Sequence, residues 1–353
     1  MVSWAQVAPL ARRARRPAAA FLAAGGAGLA LLQRDDAPVE DLSLLSQEAL
    51  LDMSAPFDAA RFESLATEAR RAALFYPADD ATTAEAWHAA HDGGGAVRFA
   101  DASPLACFVY TAPPALFGAA RQVVVIKGTS TADDVLTNLE CSLSDLGGTG
   151  WVVHGGFAKV AAGVLEALRP VLDLDGGAEL ELVGHSLGGA VATLIGLALA
   201  AEGSPPASVV AFGCPRVGYA ATPAGRALAD ALPLTRVNTL DDPVPSLPPA
   251  FLATTLGGAA PFGHVRDEQL VLCGGTYAFL GSETAAQAAR APARDGCADA
   301  LVYATEGSFA NAAYLRPHSM PVYIAELAGL AAAASRDADA ARASDVFLDV
   351  VFT

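Results

Sequence analysis

The stretch ELELVGHSLGGAVATLIGLALA, residues 179–200, places one serine between glycines where a short apolar run gives way to a longer one. Either the glycines only let the chain turn, or the turn displays the hydroxyl of Ser186. The pattern G-x-S-x-G between a strand and a helix is typical of a tight turn that strains the serine backbone. Small neighbours are needed there because larger side chains would clash with the adjoining strand and helix. This context favours display of the hydroxyl.

A displayed serine needs partners before it can react. Its hydroxyl is a weak nucleophile until a base removes the proton, so the pattern predicts a histidine and an orienting carboxylate elsewhere. A helix that begins at Leu187 also aims the amide of this residue beside the hydroxyl. There the N–H and the helix dipole would stabilise negative charge that develops during reaction.

The segments around this turn alternate between strand and helix patterns. QVVVIKG, ASVVAFG and LTRVNTL are short apolar runs of the strand type, and GVLEALRPVL has helical spacing. Such alternation predicts an α/β fold with a mostly parallel central sheet flanked by helices. Residues 38–118 show mainly helical spacing, which predicts a helical N-terminal extension. The carboxyl ends of parallel strands meet at one edge, where ligand sites form.

The net charge of the chain argues against two classes of binding partner. The chain carries a net charge of −16, although residues 1–34 hold five arginines and no acid. The remainder is therefore more acidic still, which argues against nucleic-acid binding, because phosphate neutralisation needs clustered cations. It also argues against attachment of the body to anionic lipid by charge alone.

The N-terminal segment, residues 1–34, has the composition of a targeting sequence. An arginine cluster precedes a small and apolar run from Pro17 to Leu32, shorter than the ~20 residues that a membrane-spanning helix needs. Arginine-rich, acid-free composition favours a transit peptide for an organelle. A secretory signal, a short membrane anchor and an alanine-rich tail are the alternatives.

The cysteines and one pair of histidines are interpreted as having no catalytic or metal-binding role. The five cysteines follow no metal-type spacing; a disulfide between Cys273 and Cys297 is conceivable, but reduced buried thiols are favoured. His88, His91 and Asp92 could form one edge of a metal site, yet the sequence shows no second ligand pair. We therefore predict a solvated helix face there, no metal and no cofactor.

The partners of Ser186 are sought downstream, because the order nucleophile, acid, histidine is the one that accompanies this turn. VNTLDDPVPSLPP ends a strand with Asp241 and Asp242 and then stiffens with prolines. Either aspartate could orient an imidazole at this stage. Chain order leaves His264 and His318 as candidate bases.

The chain resembles the class 3 lipases, the fungal-lipase-like branch of the α/β-hydrolases, with some likeness to sn-1-specific diacylglycerol lipases. The resemblance covers roughly residues 122–324 and rests on blocks in family order. These blocks are VVVIKGTSTADDVLTNL, VHGGF, LVGHSLGGAVATL, FGCPRVG and VNTLDDPVPSLPP, with PHSMPVYI as a looser sixth. Together with the composition and spacing described above, it predicts domain bounds of 1–34 for the targeting segment, 35–118 for the extension, 119–325 for the core and 326–353 for a C-terminal helix or tail.

The resemblance also assigns a triad. It places the nucleophile on Ser186 and selects Asp242 over Asp241, because the family aspartate precedes VPxLPP by one residue. It favours His318 over His264 as the base, although Pro317 stands where the family often has aspartate. His154 and His185 match family positions near the site, and we interpret both as structural.

Further positions follow from the resemblance alone. Thr129 would supply oxyanion donors together with the amide of Leu187. Asn138 stands where relatives often carry an aspartate that holds this threonine hydroxyl; an amide oxygen can still accept the bond but carries no charge. The segment after Thr129 would be either a lid over Ser186 or an ordinary surface loop.

The implied activity is cofactor-free hydrolysis of acylglycerol-type lipid esters through an acyl-enzyme, at a membrane or droplet surface. A phospholipase A1, galactolipase or acyltransferase would use the same triad, and substrate choice lies in loops that fold and triad do not determine. A lipase-like binding module without turnover is the alternative of a different class.

Overall fold

A computed structural model describes residues 58–76, 81–102, 105–112, 120–128, 142–174, 177–240, 242–248, 251–253, 259–280 and 315–336. Several predicted features therefore lie outside the described residues. They are the targeting segment 1–34, the candidate lid after Thr129, the oxyanion residue Thr129, its supporting Asn138, Asp241 and the cysteine Cys297 of the candidate disulfide. Cys107 and Cys214 are buried.

A mixed eight-stranded sheet forms the centre of the molecule. Its spatial order is β1-β2-β3-β6-β7-β9-β12-β13. The strands span Ala96–Ala102, Leu105–Thr111, Arg121–Ile126, Glu179–His185, Ser208–Phe212, Leu234–Thr239, Gln269–Cys273 and Thr276–Leu280. From β3 to β12 all neighbours are parallel, and β1, β2 and β13 add antiparallel edges. The prediction of a mostly parallel sheet is confirmed.

Two smaller sheets lie outside this central sheet. One has the order β4-β5-β8, with Leu143–Asp145, Trp151–His154 and Gly218–Ala220. The other pairs β10, Phe251–Ala253, with β11, Ala259–Pro261. Trp151 is fully buried and its indole N–H donates to the Gly225 carbonyl at 2.7 Å.

Helices cover both faces of the central sheet. They are α1 Ala59–Ala73, α2 Ala81–His91, α3 Gly155–Leu168, α4 Leu187–Ala201, α5 Pro223–Ala231 and α6 Met320–Arg336. Strand β3 shows why both faces need cover: Val123 and Val125 belong to one buried cluster, and Val124 and Ile126 to the other. Continuous β-branched runs of this kind are typical of strands buried on both sides.

The two clusters recruit helices from different parts of the chain. Helices α3 and α4 pack on the face of Val124, with Val164 and Ile195 fully buried. Helices α1 and α6 pack against each other on the opposite face. Of the described helices, none combines the length and the apolar character needed to cross a bilayer.

The N-terminal extension differs from its predicted form. Helices α1 and α2 are present, but Ala96–Ala102 and Leu105–Thr111 form β1 and β2 rather than helix. Strand β2 pairs with β3 from Cys107–Ile126 to Thr111–Gln122, so these strands continue the central sheet. The physical reason is that β2 buries aromatic and β-branched residues between β1 and β3, where such side chains pack well against neighbouring strands.

The prediction that α2 presents a solvated face is wrong for His88. This side chain is 1% exposed, its ring stacks on Tyr110 of β2, and its Nδ1 lies 2.7 Å from Asp92 Oδ2. Asp92 also accepts a bond from Arg71 at 2.9 Å. His91 is exposed, as expected. Across the residues that the structure describes, no group of three His, Cys, Asp or Glu side chains could hold a metal ion.

Candidate active site

Ser186 occupies a strained turn between β6 and α4. Its φ of 57° and ψ of −127° make it the one non-glycine residue with positive φ in the described part of the chain. Its backbone N–H donates to the Phe212 carbonyl at 2.9 Å, which joins the turn to the end of β7. The predicted strand–turn–helix and its strained serine are confirmed.

The flanking glycines are required by packing. A Cβ on Gly184 would lie 2.2 Å from the Gly188 carbonyl oxygen, and one on Gly188 would lie 2.3 Å from the Ile126 carbonyl oxygen. Both obstacles are backbone atoms, which cannot move aside as a flexible side chain could. The glycines therefore allow β3, β6 and α4 to meet closely enough to form the turn.

A matched pair of glycine substitutions tests this packing. Gly184→Ala should destabilise the protein by at least about 1–3 kcal/mol, because the new methyl group overlaps backbone. Gly163→Ala lies in α3, where an added Cβ meets nothing within 4 Å. This control should instead gain about 0.5–1 kcal/mol from the better helix propensity of alanine. Denaturant unfolding measures both changes, and equal effects at the two positions would contradict the close-packing argument.

The start of α4 is suited to negative charge. The amides of Gly189 and Ala190 already donate to the Ser186 carbonyl, whereas Leu187 and Gly188 precede the first bonds of this ladder. Gly128, which ends the described part of the β3 loop, packs against the turn; a Cβ there would lie 3.1 Å from Ser186 Cβ. The residue after Gly128 is Thr129, the candidate oxyanion donor, which lies outside the described residues.

Asp242 follows β9 and accepts three hydrogen bonds. Val244 N–H donates to Oδ1 at 2.9 Å, while His318 Nδ1, at 2.8 Å, and the Tyr323 hydroxyl both approach Oδ2. The carboxylate is only 1% exposed. Burial alone would raise its pKa, but the charge of His318 and the three bonds outweigh that effect and hold the pKa of Asp242 below its usual value. A buried, ionised carboxylate therefore faces His318.

Two buried side chains clamp the proline-rich loop that follows Asp242. Arg216 is 3% exposed and donates to the carbonyls of Ser246 and Pro248. His264 Nε2 donates to the Pro245 carbonyl at 2.9 Å. Because His264 binds this loop, it lies in a supporting position rather than opposite the carboxylate.

His318 lies in a short 3₁₀ turn, Arg316–His318, just before α6. Gly213, with φ of 55°, makes room for its contact with the acid. A Cβ on this glycine would lie 2.7 Å from Asp242 Oδ2 and 2.9 Å from His318 Nδ1. Gly213 directly follows Phe212, whose carbonyl binds the backbone of Ser186. The ends of β6, β7 and β9 thus bring Ser186, Asp242 and His318 to one edge of the sheet.

His154 caps the N-terminus of α3. Its Nδ1 accepts from the Phe157 N–H at 3.3 Å, and its ring is fully buried. Burial lowers the pKa of His154 to about 4, so it stays neutral near pH 7. The histidine of VHGGF therefore has a structural role as the N-cap of α3.

Comparison with known proteins gives a family match for part of the chain. Residues 123–252 match the family model for lipase (class 3). This stretch resembles the class 3 lipases. It contains Ser186 and Asp242, whereas His318 lies beyond the matched residues.

Individual relatives match only part of this chain. The secreted mono- and diacylglycerol lipase A of Penicillium cyclopium is 41% identical over 85 residues, 24% of this chain and 27% of the relative. The chain thus matches about a quarter of the length of this relative. The Lip2 lipase structure from Yarrowia lipolytica is 18% identical, with a TM-score of 0.48 over 64% of this chain and 86% of that chain. A fungal lipase–inhibitor complex shows 20% identity, with a TM-score of 0.48 over the same shares of the two chains.

Some residues of the site carried no functional prediction. Gly213, Arg216 and Tyr76 contact the site, and the block FGCPRVG was the only signal for the first two. Tyr323 lies in the block PHSMPVYI, for which the resemblance assigns a role to His318 alone. The Tyr323 hydroxyl donates a hydrogen bond to Asp242 Oδ2.

Proposed function

We propose that this protein hydrolyses carboxylic esters of acylglycerol lipids through a Ser186–His318–Asp242 triad. The observation that carries the proposal is the bond between His318 Nδ1 and the buried Asp242 carboxylate, next to the strained serine of the stretch that resembles the class 3 lipases. The name of the Penicillium cyclopium relative supports mono- and diacylglycerols as the first substrates to test.

In the first half of the proposed mechanism, Ser186 Oγ attacks the ester carbonyl carbon. His318 Nε2 takes the hydroxyl proton, because Nδ1 keeps its own proton and donates a hydrogen bond through it to Asp242. The tetrahedral oxyanion forms beside the amide of Leu187 at the positive end of α4, with Thr129 as the second proposed donor. The carbonyl re-forms as the alkoxide leaves with the proton from His318, which gives the acyl-enzyme and the free alcohol.

In the second half, water replaces the alcohol. His318 takes a proton from water as the oxygen attacks the acyl carbon, and Ser186 then leaves with that proton. The products are a fatty acid and the regenerated enzyme. Asp242 remains ionised throughout; it orients the imidazole and stabilises its charged form.

Substrate profiling of the full chain tests the proposal. Mixed vesicles or emulsions that contain tri-, di- and monoacylglycerol, phosphatidylcholine and galactolipid would be incubated with wild type and with Ser186→Ala. We expect fatty acid release from acylglycerols by wild type alone. Preferred release from the phospholipid or the galactolipid would reassign the head group. Transfer of the acyl chain to an added alcohol in place of water would indicate an acyltransferase.

The acid of the triad provides a separate prediction. Asp242→Asn should lower kcat about 10⁴-fold, because an amide no longer fixes the imidazole tautomer or stabilises the imidazolium. Asp230→Asn is a suitable control, since Asp230 is exposed on α5. Steady-state kinetics on a soluble short-chain ester would measure both variants. A loss below tenfold in Asp242→Asn would argue against the assigned role.

A further inference from the structure

His185, the residue before the proposed nucleophile, contacts the backbone of the proposed base. Its side chain is buried, with 5% exposed, between Tyr76 and His318. His185 Nε2 lies 2.8 Å from the His318 carbonyl oxygen, and its Nδ1 contacts the Tyr76 hydroxyl. The ring centroids of His185 and His318 lie 4.4 Å apart. One imidazole thus links the nucleophile turn to the turn that carries the base.

The partners of His185 define its tautomer. A carbonyl oxygen can only accept, so the proton must be on Nε2, which donates to His318. Nδ1 is then an acceptor, and the Tyr76 hydroxyl is its donor. Burial raises the pKa of Tyr76, which keeps this donor protonated. Both ring nitrogens therefore have defined roles in a single neutral form.

Charge also favours that neutral form. Burial, and then the nearby charge of His318, lower the pKa of His185 to about 3. A second cation 4.4 Å from His318 would oppose the imidazolium that His318 must become during the proposed reaction. A neutral imidazole can hold the His318 backbone without that repulsion.

The turn that carries His318 is held from two sides. Thr239 Oγ1 donates to the Pro317 carbonyl at 2.9 Å, and His185 donates to the next carbonyl along the chain. The first bond ties the turn to β9, which leads to Asp242. The second ties it to the residue adjacent to Ser186. The strand before Asp242 and the residue before Ser186 each hold the turn of His318 through one backbone carbonyl.

We propose that His185 is a positioning residue, which fixes the location of His318 relative to Ser186. Tyr76 holds His185 in the Nε2-protonated tautomer that the bond to His318 requires. The inference rests on the proposed function, because positioning has a catalytic meaning only if His318 is the base. Tyr76 follows α1, so the N-terminal part of the chain takes part in building the site. Tyr76 as a whole is 40% exposed, while its hydroxyl contacts His185.

Two substitutions at His185 separate hydrogen bonding from bulk. Glutamine keeps one donor and one acceptor at the end of the side chain, whereas methionine fills similar space with neither. On a soluble short-chain ester, His185→Met in the full chain should lower kcat about 10²-fold, the usual effect of displacing a reacting group by ~1 Å. KM should stay within about threefold. His185→Gln should recover kcat to within about fivefold of wild type.

Tyr76→Phe tests the tautomer. Without the hydroxyl, Nδ1 can carry the proton and turn the Nε2 lone pair towards the His318 carbonyl. We expect about a fivefold to tenfold loss of kcat with unchanged KM and unchanged Tm. Because Tyr76 acts through His185, the loss should vanish in the His185→Met background. An additive loss would overturn this part of the proposal. Tyr76→Phe alone still tests it if His185→Met does not fold.

The outcomes separate the inference from the proposed function. Equal kcat for folded His185→Met and wild type, or equal loss in His185→Gln and His185→Met, would overturn the positioning role while the triad stands. Absence of ester hydrolysis in wild type would overturn the proposed function. The hydrogen bonds would then still be tested by NMR of ¹⁵N-histidine-labelled protein. We expect a neutral, Nε2-protonated His185 from pH 5 to 8 in wild type; a titrating or Nδ1-protonated ring would refute the geometry.

Discussion

Ser186→Ala should lower kcat for ester hydrolysis on the order of 10⁶-fold, with the fold retained. Alanine removes the only atom that bonds to the acyl group, and the alanine side chain is smaller than the one it replaces. The residual rate would come from binding and oxyanion stabilisation alone. The same variant should fail to react with a fluorophosphonate that labels wild type.

The control for this experiment is Ser204→Ala, a half-buried serine after α4 and away from the turn. It should hydrolyse ester and label at the wild-type rate. Labelling of Ser186→Ala at the wild-type rate would show that another nucleophile is responsible. Failure of folded wild type to label would mean that the triad is not assembled, and would favour the binding-module alternative.

His318→Ala should cost about as much as loss of the serine, again on the order of 10⁶-fold in kcat. Triad members act as a unit, because the serine is not activated without its base. His264→Ala is the informative comparison, since sequence order alone leaves both histidines as candidates. It removes a bond to the loop after Asp242, so we expect a loss of no more than about tenfold together with a lower Tm.

Circular dichroism of both histidine variants would establish that they are folded before the rates are compared. The opposite ranking, with His264→Ala inactive and His318→Ala active, would reassign the base. In that case the bond between His318 and Asp242 would be structural only.

The nucleophile turn was predictable from sequence because its signals are local. Glycine spacing, the apolar strand before it and the apolar helix after it occupy one continuous stretch around Ser186. The choice between Asp241 and Asp242 was not local, since adjacent acids share the same composition and flanks. It needed the family resemblance, and the bonds around Asp242 agree with that choice.

Other features depend on residues far apart in the chain. His88 looked like part of a solvated face, yet β2 covers it. Residues 96–102 lack the β-branched run that marks β3, so their pairing with β2 could not be read from propensity. The contact between Tyr76 and His185 spans 109 positions. No periodic pattern encodes such a contact.

The packing of α1 on α6 has a consequence for biosynthesis. The helix that follows the base shares its buried cluster with one of the earliest described segments. A ribosome makes the nucleophile turn long before it makes His318, and α1 must wait for α6 to emerge before that surface can close. The growing chain thus holds Ser186 without its proposed base. Hydrolytic competence would arise only after translation has passed the final described helix.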